Sequence, residues 1–332
     1  MSKNFTVVFI TLFLILSTAS VIAKPKAETS DKWSFITQDS DDLILPGINP
    51  IAVEGNIVTA GSSTVFPLSE RIVERFVDEG YSNSISVDSI GSGGGFERFC
   101  SAGEADIANA SRAINQKEIN NCNAIGRDPM EIRVGTDALA VVVSKENTFA
   151  KDASMEELAA IFSTASTWSE VNPSWPAKPI NRFIPGTDSG TFDYFTEAVF
   201  DKETEAILSA SNLQMSEDDN ILVRGVVGSP YAVGFFGYGY YTENSDKLNV
   251  MAINGIEASQ ETVDASTYPL ARPLYIYSTA DIMKEKPQVA AFIAYYLTYV
   301  NEEVVGVGYF PANQADLDNA KQSWLDATDG LY

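Results

Sequence analysis

The sequence has no histidine and only two cysteines, and its 22 Lys+Arg are outnumbered by 45 Asp+Glu. Each shortage excludes a class of function. Without histidine there is no Ser-His-Asp triad, no His-based zinc or haem site, and no imidazole to exchange protons near neutral pH. Two cysteines fall short of the four thiolates a Cys-only zinc site takes. A formal charge of −23 leaves few cations to meet nucleic acid or an anionic membrane surface, so neither is an expected partner. The sequence carries no internal repeat and no low-complexity tract. What is plentiful is core material: 45% hydrophobic and 11% aromatic residues over a 332-residue chain, enough for about two domains.

The N-terminus reads MSKNFTVVFITLFLILSTASVIA: one Lys, an apolar run from Phe5 to Leu16, then small or apolar residues to Ala23. That order is a secretory signal peptide over residues 1–23, cleaved near Ala23, and the run is shorter than the ~20 apolar residues of a membrane span. A polar, acidic, Pro/Gly-punctuated leader over 24–53 follows and reads as mostly irregular. Export to an oxidising compartment makes Cys100 and Cys122 an expected disulfide. The loop it would close holds about 21 residues, worth on the order of 3 kcal/mol on the chain-entropy model.

Strand and helix patterns then alternate, which predicts an α/β fold with open, largely parallel sheets. Asn56–Ala60 is a strand, and Leu68, Ile72 and Phe76 lie four apart on a helix that stops at Gly80. Ser84–Ile90, Asp106–Ala108, Ala138–Ser144 and Arg182–Pro185 are further strands, and Ser154-Met-Glu-Glu157 is a capping box. Thr191–Leu208 reads as one helix. Leu274–Tyr277 is a strand, and Gln288–Val300 and Gln314–Leu325 are helices. The extended apolar segments TDALAVVVS (136–144) and YPLARPLYIY (268–277) are spaced to cross twice between two lobes.

Three glycine/hydroxyl turns share one context, each following a strand and opening a helix. They are Gly61-Ser62-Ser63-Thr64, Gly91-Ser92-Gly93-Gly94-Gly95 and Pro185-Gly186-Thr187-Asp188-Ser189-Gly190-Thr191. Helix N-termini offer unpaired N–H groups, glycine allows close backbone approach, and hydroxyls add donors. Three such turns converging would surround one tetrahedral oxyanion. No GK[ST] follows the glycines, so this is not a nucleotide P-loop, and GSGGG is not a dinucleotide fingerprint. Arg112, just after a buried-looking strand, is either a forked donor to the anion or a surface ion pair; Arg182 is a second candidate. Bulk acidity does not forbid anion binding, because charges beyond about 8 Å are screened at physiological ionic strength.

GSSTVFPL, GSGGGFERFC, ADIANASR and PGTDSGTFDYF, in this order and at these spacings, resemble the substrate-binding proteins of phosphate ABC importers, the PstS family. The resemblance covers the chain from about Val53. It implies a two-lobed periplasmic-binding-protein (type II) fold: mixed, mostly parallel sheets with helices on both faces and two hinge crossovers. The lobes would be 54–137 plus 273–332, and 138–272. It also implies phosphate-binding residues Ser62, Ser63, Thr64, Ser92, Ser111, Arg112, Ser189, Gly190 and Thr191, with Val65 a possible replacement for Ser62. Family members place a proton-accepting Asp where this chain has Ser111, and an Arg where it has Pro185. Asp188 and Asp106 are therefore the carboxylates to test as acceptor of the phosphate proton, and Arg112 the substitute cation. The implied function is capture of inorganic phosphate and its delivery to the membrane permease of an ABC importer, by a periplasmic monomer with no catalytic residue, metal or cofactor. The competing readings are a receptor for another oxyanion (sulfate, arsenate or molybdate), a secreted phosphatase, and an adhesive or signalling role.

Overall fold

The computed structural model describes residues 33–35, 43–187, 189–216 and 218–329. The expected signal peptide over 1–23 and Asp188 lie outside the described residues. Nine strands form one sheet: β1 Ile57–Gly61, β2 Ile85–Ser89, β3 Ile107–Ala110, β4 Met130–Ser144, β5 Asn181–Pro185, β6 Leu213–Ser216, β7 Ala232–Gly237, β8 Leu248–Val250 and β9 Ala271–Ser278. Their spatial order is β2-β1-β3-β9-β4-β7-β5-β6, with β8 also paired to β4. Helices cover the sheet, among them α1 Phe66–Asp78, α2 Gly91–Phe96, α3 Gln116–Ala124, α4 Met155–Ile161, α5 Gly190–Phe200, α6 Tyr238–Glu243, α7 Pro287–Gly306 and α8 Gln314–Ala327. Among the described residues no helix is long and apolar enough to cross a membrane.

The mixed sheet has its parallel pairs at the two flanks, β2-β1-β3 on one side and β7-β5-β6 on the other. Its centre is antiparallel: β4 pairs with β9 along residues 130–138, and with β7 and β8 along 139–144. The apolar run Ala138–Ser144, which reads as an interior parallel strand, is thus antiparallel to every neighbour. Such a run encodes burial on both faces, not strand direction. Side chains alternate across a strand, and here Leu139, Val141 and Val143 enter one core while Ala140 and Val142 enter another on the opposite face. A separate core joins Ile57, Leu68, Ile72, Phe76 and Ile107 to Tyr295, Tyr296 and Trp324 of α7 and α8. At ~25 cal/mol per Å² of buried apolar surface, each fully buried Leu, Ile or Phe contributes roughly 1.5–3 kcal/mol. Strand β4 runs through both regions, with Ile132 and Val134 in the first core and Leu139 onward in the others.

Within 24–53 the described residues include one short antiparallel pair, Trp33–Phe35 with Pro46–Ile48, and Leu45 and Val53 are buried in the first core. One sequence expectation changes here. The single helix expected over 191–208 breaks after Phe200, because Asp201 and Lys202 take left-handed φ values of 50° and 73°. Neither residue is glycine, the usual marker of that conformation. Cys100 and Cys122 form the disulfide, tying α3 to the segment that continues α2. Beside it, Arg127 donates to the carbonyls of Phe99, Gly103 and Ala105.

Candidate functional site

The first turn leaves the carboxyl end of β1. Gly61 has φ +146°, and a Cβ there would lie 2.1 Å from the Asn109 carbonyl oxygen, so only glycine fits. Ser62 donates its N–H to that oxygen, and its Oγ accepts from the amides of Thr64 and Val65, which closes the turn just ahead of α1. The Thr64 carbonyl accepts from the Tyr309 hydroxyl at 2.9 Å. The second turn interlocks with the first: a Cβ on Gly95 would lie 2.5 Å from Gly61 Cα and 2.7 Å from the Ala60 oxygen. Two of the five residues of GSGGG thus have backbone reasons, Gly95 for contact and Gly91 for its φ of +77°. Ser92 Oγ accepts from the Ser111 amide at 3.1 Å, which joins this turn to the end of β3.

Arg112 follows Ser111 and is held by a bidentate pair to Glu118, at 2.7 and 2.9 Å, with its guanidinium 5.3 Å over the Phe96 ring. The hydrogen bonds to Glu118 push the Arg112 pKa up, against burial. For Glu118, burial works upward, but the bonds from Arg112 and the Asn115 amide outweigh it and leave the carboxyl below its ordinary range. Arg112 is therefore ion-paired, as one reading of the sequence has it, and also lines the cavity described next.

A cavity of about 700 Å³ is lined by Ser62, Ser63, Thr64, Gly91, Ser92, Gly93, Ser111, Arg112 and Gly190 from the predicted set and its neighbours. Ser189 and Thr191 are not in its wall; the Ser189 hydroxyl accepts the Thr191 amide as the N-cap of α5. The first and third turns meet directly, since a Cβ on Gly190 would lie 3.1 Å from Thr64 Oγ1 and 3.3 Å from Ser63 Oγ. Arg182, the other candidate cation, is fully buried away from the cavity and donates to the carbonyls of Ile161, Ala165, Ile180 and Ser211. Burial without an acid lowers its pKa to about 10. Asp106 is equally remote from the role considered for it. It sits just before β3, bonded to Lys286 at 2.6 Å and to the Val58 amide at 3.0 Å, a strand's length from Ser111.

Sequence reasoning missed Arg272, which lines the cavity, its buried partner Asp137, and a face of α5. Arg272 of β9 and Asp137 of β4 are direct partners in the strand register, with Nε to Oδ2 at 3.1 Å; both are buried. Arg272 Nη2 donates to Thr64 Oγ1 and to the Gly190 carbonyl (3.1 Å), and its guanidinium lies 4.0 Å over the Tyr194 ring. One guanidinium thus touches both opposed turns. Burial raises the Asp137 pKa despite the opposing pull of Arg272. On α5, Asp193, Tyr194, Thr196 and Glu197 face the same cavity, followed by Lys202 and Thr204. Lys202 pairs with Glu197 at 3.3 Å. Burial raises the Asp193 pKa, with Arg272 and Lys202 opposing and Glu197 adding to it.

This architecture is that of a two-lobed α/β binding protein, with the cavity at the carboxyl ends of its parallel strands. The PBP superfamily domain matches residues 49–299. The chain is 40% identical over 282 residues to "Protein SphX" of Synechocystis, covering 81% of this chain and 83% of the relative. It is 33% identical to "Phosphate-binding protein PstS" of Staphylococcus saprophyticus, covering 82% and 85%. Among solved structures, a possible phosphate binding protein from Planctomyces limnophilus superposes with a TM-score of 0.77 at 39% identity, covering 83% of this chain and 99% of that one. An ABC-type phosphate transport receptor from Vibrio cholerae, at 22% identity and a TM-score of 0.63, shares the fold. The chain belongs to the PBP superfamily and, within it, to the PstS family. That family is a class of transport substrate-binding proteins, not a class of enzymes.

Proposed function

We propose that this protein is an exported receptor that captures inorganic phosphate between its lobes and delivers it to the permease of an ABC importer, without making or breaking a bond. The observation that carries the reading is convergence: three turns and the guanidinium of Arg272 meet at one cavity flanked by separate cores. The relatives named for phosphate supply the choice of anion. In this reading Ser63, Thr64, Ser92, Ser111, Arg112 and Gly190 present donors, Ser62 holds the first turn in shape, and Ser189 and Thr191 act as the cap behind Gly190. Arg272 supplies a buried cation beside Arg112. Asp193 replaces Asp106 as the carboxylate that meets the phosphate proton. The lobes are 54–137 plus 273–332, and 138–272, with the leader's end from residue 43 packed on the first, and β4 and β9 form the hinge. The N-terminal 23 residues direct export to the periplasm, where the protein acts as a monomer.

Isothermal titration of the purified protein is the test. About one phosphate per chain is expected, with sulfate, arsenate and molybdate as competitors. Saturation by sulfate and not by phosphate overturns the choice of anion. Phosphate release from a chromogenic monoester would instead support the phosphatase reading.

A further inference from the structure

Strands β4 and β9 account for two passages of the chain between its cores, and a third lies between α7 and α8. Val304 of α7 and Leu317 of α8 both belong to the first core, yet Phe310 between them is buried in the second, with its ring 4.7 Å from Tyr238. The Phe310 backbone also makes a reciprocal pair with Thr136 of β4, next to the point where that strand passes from the first core to the second, at 2.8 and 2.9 Å. Two glycines make the approach possible. A Cβ on Gly239 of α6 would lie 2.3 Å from Gly308 Cα, and the Gly239 amide donates to the Gly308 carbonyl at 3.1 Å. A Cβ on Gly135 would lie 3.1 Å from the Phe310 carbonyl oxygen and 3.0 Å from Val304 Cγ2. Between these anchors, Tyr309 turns the other way and donates its hydroxyl to the Thr64 carbonyl, in the first turn of the cavity.

Three consecutive residues therefore bind three different parts. Gly308 rests on α6, Tyr309 holds the Thr64 turn, and Phe310 is set in the second core and on β4. We propose that residues 307–312 are a third strap between the lobes, and that Tyr309 is a positioning residue that keeps the Thr64 turn in step with the second lobe. The strap limits how far the lobes separate about β4 and β9. Because Tyr309 and Phe310 are adjacent, displacement of the second lobe pulls on the turn that also receives Arg272. The role given to Tyr309 in ligand release rests on the phosphate-receptor reading; the mechanical role of the strap does not.

The experiment compares wild type with Tyr309→Phe, Phe310→Ala and Phe310→Leu in the full exported chain. Two readouts are used: amide hydrogen exchange of the phosphate-free protein, and stopped-flow phosphate binding. Tyr309→Phe is expected to speed exchange over residues 62–66. It should also raise the phosphate release rate about fivefold, the effect of one neutral hydrogen bond, at an unchanged association rate and with Tm within about 2 °C. Phe310→Ala should speed exchange at 136–139 and 238–240 as well, and Phe310→Leu should restore it. Wild-type exchange at 62–66 in Tyr309→Phe, with release also unchanged, overturns the positioning role. Wild-type exchange at all three segments in Phe310→Ala overturns the strap. A wild-type protein that binds no phosphate overturns the receptor reading alone, since the exchange comparison is made without ligand.

Discussion

The two walls of the cavity are built from different materials. The first, at the carboxyl ends of β1, β2 and β3, is mainly glycine backbone and hydroxyls, Ser62 to Thr64, Gly91 to Gly93 and Ser111, with the Glu118-paired Arg112 beside Ser111. The second is a helix face, where Asp193 and Glu197 stand four residues apart on α5 and Lys202 closes the row. Neutral donors can grip any small oxyanion. Carboxylates cannot, because they repel an anion that has no proton to share. On the phosphate-receptor reading proposed above, the difference would divide the labour: one wall would supply affinity, the other would restrict which anion and which protonation state is accepted. Arg272 stands between them, bonded to Thr64 on one side and to Gly190 on the other.

The largest way to break this comparison is to remove what joins the walls. Arg272→Gln leaves Asp137 buried without its cation, and breaking one partner of a buried pair costs about 3–5 kcal/mol. Urea denaturation should show that loss. Phosphate affinity should fall about a hundredfold in whatever fraction stays folded, the worth of a charge-assisted hydrogen bond or two. Full stability with wild-type binding would mean that the walls need no bridge.

Next in size is the disulfide behind the donor wall. Reduction of Cys100–Cys122 frees a loop of about 20 residues, worth on the order of 3 kcal/mol. Stability should drop by that amount, while phosphate affinity changes little, because Gly95 is locked to Gly61 by backbone contact and not by the bridge. A large loss of affinity on reduction would show that the donor wall depends on a distant staple. Smaller again is Arg112→Ala. Phosphate binding should weaken by at least about tenfold, 1.4 kcal/mol. An unchanged titration would leave Arg112 a partner of Glu118 and nothing more.

How much of this could be read in the chain follows the same division. The donor wall is made of contiguous segments, so GSST and GSGGG announce it by their position between strand and helix, and the packing of Gly61 on Gly95 explains why glycine recurs. The third turn was legible as a turn, but only Gly190 of its Ser189-Gly190-Thr191 reaches the cavity wall. The bridge was not legible. Arg272 and Asp137 are single charges inside the extended segments YPLARPLYIY and TDALAVVVS, and a lone charge in such a segment is the available signal. Pairing them requires the antiparallel register of β9 on β4, which no local pattern encodes. The acid wall was half legible. A helix starting at Gly190 places residues 193 and 197 on one face, but the reversal at Asp201–Lys202 that brings Lys202 back carries no glycine to mark it.

The finest test concerns the acid wall alone. Burial raises the folded-state pKa of Asp193 above its ordinary value near 3.9, so the folded protein holds this proton more tightly than the unfolded chain. Ionised Asp193 therefore lowers stability at every pH above its folded pKa, and the penalty vanishes below about pH 3.9. Asp193→Asn removes the charge while keeping the shape. Its Tm in the absence of ligand should exceed that of wild type at pH 7, and the two curves should converge as the pH falls through the window between the folded and unfolded pKa values. With ligand, the same substitution should narrow the preference for phosphate over sulfate by a few-fold, since an amide no longer repels an anion lacking a proton. A rise in Tm at neutral pH without any change in anion preference would separate the two effects: Asp193 would then be an unfavourable charge that the fold tolerates, and selection would have to come from Glu197, the other carboxylate on the same helical face.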